Sequence, residues 1–138
     1  MSKYHVFISY SHSQADRDWA QRLANALSEM GLRVWYDETE IKPGDPFVER
    51  LEEGLRESEY VVFVTPEILS NWAAVELGAA LALRKPLIPI VAEDMLLENI
   101  PGPIRRRKYL PQGDPLAIAG EIAATVASEA KGNGKVRG

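Results

Sequence analysis

Residues 60–65, Tyr-Val-Val-Phe-Val-Thr, form a near-continuous apolar run. A strand with one wet face alternates apolar and polar side chains, because successive residues point to opposite faces. A run without that alternation is buried on both faces, as in a parallel sheet covered by helices. Helical spacing appears on either side of it. Phe47, Leu51 and Leu55 form an inward face over residues 47–58, and residues 72–84 are rich in alanine and leucine. The run therefore reads as the central strand of an α/β fold.

The remaining segments fit the same alternation. Residues 4–10 (YHVFISY) are aromatic and β-branched and read as a first strand. Residues 16–30 read as a helix with Trp19, Leu23, Ala26, Leu27 and Met30 on one face, and Gly31 stops it as a C′ residue. A second strand covers 33–36. Residues 37–45 carry Pro43-Gly44 and read as a loop, as do 66–71. A fourth strand covers 87–92, its pairing weakened by Pro86 and Pro89. Residues 93–112 are irregular, with a helical turn near Met95 and a short fifth strand at 108–110. A last helix covers 115–128. Right-handed crossovers and five strands favour a flavodoxin-like three-layer fold, a parallel sheet of order 2-1-3-4-5 flanked by helices. The expected organisation is one domain over residues 1–128 and a flexible C-terminal tail over 129–138.

In that topology a ligand crevice lies outside the carboxyl ends of strands one and three. Strand one ends at Ser9-Tyr10-Ser11. Strand three leads to Ser70-Asn71-Trp72-Ala73-Ala74-Val75-Glu76, and the 37–45 loop leaves strand two at the same edge. Ser70 or Asn71 is the expected N-cap of the third helical segment. Trp72 and Glu76 are spaced i, i+4, so they share a helix face. Glu76 is the only charge before Arg84 in this helix. It is either part of a ligand site or a surface glutamate near the positive end of a helix dipole. The dipole effect fades after the first turn, and Glu76 lies beyond it.

Several chemistries are excluded. The formal net charge of −4 argues against nucleic acid as the main partner, and Arg105-Arg106-Arg107-Lys108 reads as a solvated edge. With no cysteine there is no thiol nucleophile, disulfide framework or cysteine zinc site. A phosphate-accepting receiver would need an acidic pair after strand one and an aspartate after strand three, where Ser9-Tyr10-Ser11 and Thr65-Pro66 stand instead. No glycine-rich dinucleotide turn and no P-loop is present. His5 and His12 lack carboxylate partners nearby and read as structural or surface residues. Trp19 and Trp35 are expected in the core. No segment is long and apolar enough to span a membrane, and the expected location is cytoplasmic.

These residues resemble a known family. Residues 6–16, VFISYSHSQAD, look like the first box of a Toll/interleukin receptor (TIR) domain of bacterial type. Residues 31–37, GLRVWYD, with the following Pro43-Gly44, resemble the family's second strand and BB loop. Thr65-Pro66, Ser70-Asn71-Trp72 and Glu76 resemble its third strand and the W-x-x-x-E helix. The sequence departs from many relatives at Thr65, where they carry serine, and at Glu40, where some carry a basic residue.

The resemblance implies cleavage of the nicotinamide–ribose bond of NAD+, giving nicotinamide plus ADP-ribose or a cyclic isomer. NAD+ is then substrate, and no resident cofactor or metal is implied. Glu76 falls on the family's catalytic glutamate. Ser9, Tyr10, Ser11, Asp37, Gly44, Ser70, Asn71 and Trp72 would bind substrate, with Trp72 stacking on a ring and Asp37 orienting a ribose hydroxyl. Ile41, Lys42, Pro43, Gly44 and Asp45 of the BB loop would mediate self-association with other TIR domains. The family also implies immune or anti-phage defence signalling, with a larger sensor or effector as partner. The alternative is a non-catalytic adaptor acting through TIR–TIR contacts. The intact tryptophan–glutamate pair favours the enzyme.

Overall fold

A computed structural model describes residues 3–10, 14–36, 47–65 and 71–137. In chain order these form β1 (Tyr4–Ser9), α1 (Gln14–Glu29), β2 (Val34–Tyr36), α2 (Phe47–Arg56), β3 (Ser58–Val64), α3 (Asn71–Ala82), β4 (Leu87–Val91), a 3₁₀ turn (Leu97–Asn99), α4 (Gly102–Arg105), β5 (Leu110–Pro111) and α5 (Pro115–Arg137). The strands make one parallel sheet of order β2-β1-β3-β4-β5. The order and the flavodoxin-like architecture are those expected from the sequence.

The apolar run is the middle strand. Residues 60–64 are buried without interruption, and their alternate side chains enter two separate cores. Val6, Ile8, Tyr60, Val62 and Val64 pack against Leu23 and Leu27 of α1 and Ile118 and Ile122 of α5. Phe7, Val61 and Phe63 point the other way, against Trp35, Leu55 of α2, Leu77 and Ala80 of α3, and Ile100 and Ile104. Register keeps this parity across strands: Val6 pairs with Tyr60, Phe7 with Val61 and Ser9 with Phe63.

The second core has a tight centre. Phe7 and Trp35 stack with ring centroids 4.6 Å apart and planes within 8°. Trp35 is 2% exposed. On its other side α2 presents Gly54, where an added Cβ would lie 2.5 Å from Trp35 Cε2. Trp19 differs from expectation. It is half-buried against the first core, and its indole N–H donates to the Gly113 carbonyl at 2.8 Å.

Two helices end on left-handed residues. After α1, Gly31 has φ +89°. Its N–H donates to Ser28 O at 3.0 Å, and the Leu32 N–H donates to Leu27 O at 3.1 Å. This is a Schellman motif, with glycine where no Cβ penalty applies. After α3 the same pair of bonds recurs, Arg84 N–H to Leu81 O and Lys85 N–H to Ala80 O, both 3.1 Å, but with Arg84 at φ 56°. A side chain in that region costs about 1–2 kcal/mol. Arg84→Gly is therefore expected to raise stability by about 0.5–1 kcal/mol after the glycine's greater unfolded entropy is counted. Thermal melting a few degrees above the parent checks it; a lower melting point refutes it.

Some boundaries differ from the sequence reading. Met30 is 43% exposed, because it sits beyond the last residue of α1 and not on its inner face. The fifth strand is Leu110–Pro111, displaced toward the C-terminus. The last helix was expected to end near Ser128 but runs on to Arg137, so residues 129–137 continue it. Pro89 is accommodated within β4. Thr65 N–H donates to Ile90 O and Val61 N–H to Pro86 O, so even-numbered residues of β4 face β3. Pro89 faces the β5 side, and β5 begins only opposite Ile90. The N–H that proline lacks would have had no strand partner there.

Candidate active site

Polar side chains are rare in the described core: Ser9, Ser58, Thr65 and Glu76. Ser58 lies at the amino end of β3, and its hydroxyl donates to Gly54 O at 2.6 Å. The other three gather on one side of the sheet, toward its carboxyl edge. Ser9 ends β1 and is 2% exposed. It pairs with Phe63 and so shares that residue's face. Thr65, also 2% exposed, continues β3 through its backbone bond to Ile90 at 2.9 Å. Two residues past Phe63, it points to the same face, about 6.6 Å further along the strand.

Glu76 comes to that face from the helical layer. α3 starts at Asn71, one residue before the expected start at Trp72, and Glu76 is in its second turn. Ala80, one turn on, and the adjacent Leu77 are buried in the core that holds Phe7, Val61 and Phe63. Glu76 is 3% exposed and therefore lies on the sheet-facing side of α3. The surface-glutamate reading is thereby removed. A carboxylate in this layer is costly to desolvate, whereas leucine or alanine would fill the place without that cost. Such groups concentrate where chemistry needs them.

One expected site residue is separated from this group. Tyr10 is buried in the opposite core, with the side chains of α1 and α5, so it shares the strand end but not the face. Asn71 and Trp72 are the first residues of α3, Trp72 one turn before Glu76 along the backbone. Ser11, Asp37, Gly44 and Ser70 lie outside the described residues, as do Ile41, Lys42, Pro43 and Asp45 of the expected assembly loop. Thr65 was not among the expected site residues. Strand parity with Val61 and Phe63 is the signal that would have found it.

His5 has a structural duty: its Nδ1 accepts the Arg33 N–H at 2.9 Å. It also lines a cleft of about 340 Å³ with Met30, Leu32, Glu59 and Val126. That cleft is at the amino edge of the sheet, away from Glu76, and its wall is mostly apolar. Among the described residues no helix is long and apolar enough to cross a membrane.

The family model described as TIR domain matches residues 6–115. The chain is 36% identical over 94 residues to the 2′ cyclic ADP-D-ribose synthase AbTIR of Acinetobacter baumannii, covering 64% of this chain and 35% of the relative. It is 32% identical over 94 residues to the NAD(+) hydrolase TcpA of a Theionarchaea archaeon, covering 64% and 28%. The chain thus spans about a third of the length of the curated relatives it matches. Among solved structures, a metazoan TIR-STING receptor from C. gigas, in complex with 2′,3′-cGAMP, aligns with a TM-score of 0.76 at 23% identity, over 91% of this chain and 40% of that one. That likeness concerns the fold.

Proposed function

The chain belongs to the TIR domain family, and on that premise we propose that it cleaves NAD+ at the nicotinamide–ribose bond. The observation that carries this reading is Glu76, a carboxylate buried on the sheet-facing side of α3, on the face that Ser9 and Thr65 share. The names of the relatives, a cyclic ADP-ribose synthase and an NAD(+) hydrolase, support the same chemistry.

One carboxylate suffices for this reaction. Ordinary glycosidases need a second carboxyl to protonate the leaving oxygen. Nicotinamide in NAD+ is already cationic. When its C–N bond to the ribose breaks, the electron pair stays on the ring nitrogen and the leaving group is neutral. Positive charge then builds on the ribose. Glu76 stabilises it and accepts a hydrogen bond from a ribose hydroxyl. Attack by water at the anomeric carbon gives ADP-ribose and a proton. Attack by adenine or a ribose hydroxyl of the same molecule gives a cyclic isomer. Trp72, one turn before Glu76, would supply a ring for stacking.

Assembly is the second part of the proposal. A head-to-tail contact through residues 41–45 is heterologous and can propagate into an open filament. We read the enzyme as cytoplasmic, acting in defence signalling and switched on by self-association or a larger sensor protein; the resemblance to the family supports this part. The test is nicotinamide release by purified protein, with products identified by mass spectrometry. Specific activity is expected to rise with protein concentration, in step with light scattering. No nicotinamide at any concentration would favour the adaptor. Flat specific activity across a hundredfold range from a monomer would remove the assembly step alone.

A further inference from the structure

One buried side chain has no structural duty that accounts for it. Thr65 Oγ1 is shielded from solvent, and it has no hydrogen-bond partner among the described residues. Buried hydroxyls are paired in the large majority of native proteins, because desolvation without a partner is costly. Ser58, in the same strand, obeys the rule through Gly54 O. Thr65 is not needed to hold the strand, since its backbone N–H already makes the ladder bond to Ile90 O. Valine would pack there at least as well. The unpaired hydroxyl stands at the carboxyl edge of the sheet, on the face that Ser9 shares and that Glu76 meets from α3.

We propose that Thr65 is a substrate-binding residue whose hydroxyl pairs with a ribose hydroxyl of NAD+ when the nicotinamide-bearing half enters beside Glu76. The inference rests on the NAD+ cleavage proposed above and assigns that site a further contact. The chemistry is matched. A carboxylate only accepts, so Glu76 takes the proton of one ribose hydroxyl. A threonine hydroxyl both donates and accepts, and so does a second ribose hydroxyl, so the two pair in either direction. Thr65 and Glu76 are both almost fully buried in the free protein. The contact thus forms only in the complex.

The experiment compares wild type, Thr65→Val and Thr65→Ser by steady-state nicotinamide release against NAD+ concentration, with thermal melting of each protein without ligand. Valine keeps the shape and removes the hydroxyl; serine keeps the hydroxyl and removes a methyl. Thr65→Val is expected to melt at or above the wild-type temperature, because an unpaired buried hydroxyl is removed. Its kcat/KM is expected to fall about tenfold, the worth of one hydroxyl pair. Thr65→Ser is expected to recover most of that loss despite a lower melting point. A purely structural role would order activity with stability, the reverse pattern. Unchanged kcat and KM in Thr65→Val overturn the proposal. So does a valine variant that melts lower and loses activity in proportion, because the hydroxyl would then be satisfied inside the protein. A wild type that releases no nicotinamide overturns the parent reading, and this inference with it. That failure is visible in the wild type alone.

Discussion

Glu76→Gln is expected to lower nicotinamide release from NAD+ by a factor of a hundred or more while leaving the fold intact. The substitution keeps size and shape at a position packed between sheet and helix, beside Leu77 and one turn from Ala80. What it removes is the negative charge. Deleting one electrostatic stabiliser of a transition state typically costs a factor of 10²–10³, about 3–4 kcal/mol in the barrier. The loss should appear mainly in kcat, because charge develops on the ribose only as the C–N bond breaks. Steady-state kinetics with circular dichroism and thermal melting check it. Wild-type turnover in the amide variant would remove Glu76 from the chemistry. A variant that fails to melt cooperatively would leave NAD+-independent packing as the role of the residue.

The second large effect concerns stability. Gly54→Ala is expected to destabilise the protein by about 2–3 kcal/mol, the upper part of the overpacking range. The added methyl would lie 2.5 Å from one atom of the Trp35 ring and 2.8 Å from another. The ring cannot retreat, because Phe7 stacks on it at 4.6 Å. α2 must move instead, and Leu55 moves with it. The contrast is Gly78→Ala. Gly78 is exposed in α3, with nothing within 4 Å of an added Cβ. There alanine restores helix propensity and should stabilise by about 0.5–1 kcal/mol. The same chemical change thus has opposite signs in two helices. Thermal melting of both variants decides it: a fall of roughly 10 °C for Gly54→Ala against a rise of a few degrees for Gly78→Ala. Equal shifts would mean that the Trp35 contact is slack.

The fold is legible in the sequence where one physical signal dominates. The run of residues 60–64 is apolar at every parity, and only burial on both faces explains that. Gly31 marks a helix end because its left-handed backbone has a cheap occupant in glycine alone. Arg84 occupies the same conformation after α3 without such a signal. β5 was misplaced because a strand of two residues has no alternation to read. The end of α5 was misplaced because residues 129–137 are polar and contain glycine, which reads as a stop although the backbone continues as helix. In the site, Glu76 was legible as an isolated charge in an apolar helix. The separation of Tyr10 from Ser9 is not legible in residue type, because adjacent residues at a strand end meet opposite faces. Thr65 likewise gains its place only through strand parity.

The first and last helices share one core, and that has a consequence during synthesis. Leu23 and Leu27 of α1 are covered by Ile118, Ile122 and Val126 of α5. The contact between Trp19 and Gly113 spans 94 residues of chain. At translation speeds of about 5–20 residues per second, that interval takes roughly 5–20 s. Val6 and Ile8 of β1 are available early to the inner face of α1, whereas its α5-facing side waits for residues 118–126. A nascent chain therefore shows the α5-facing side of this amphipathic helix until residues 118–126 emerge. Chaperone contact with emerging polypeptide should concentrate on that segment and end when α5 leaves the ribosome.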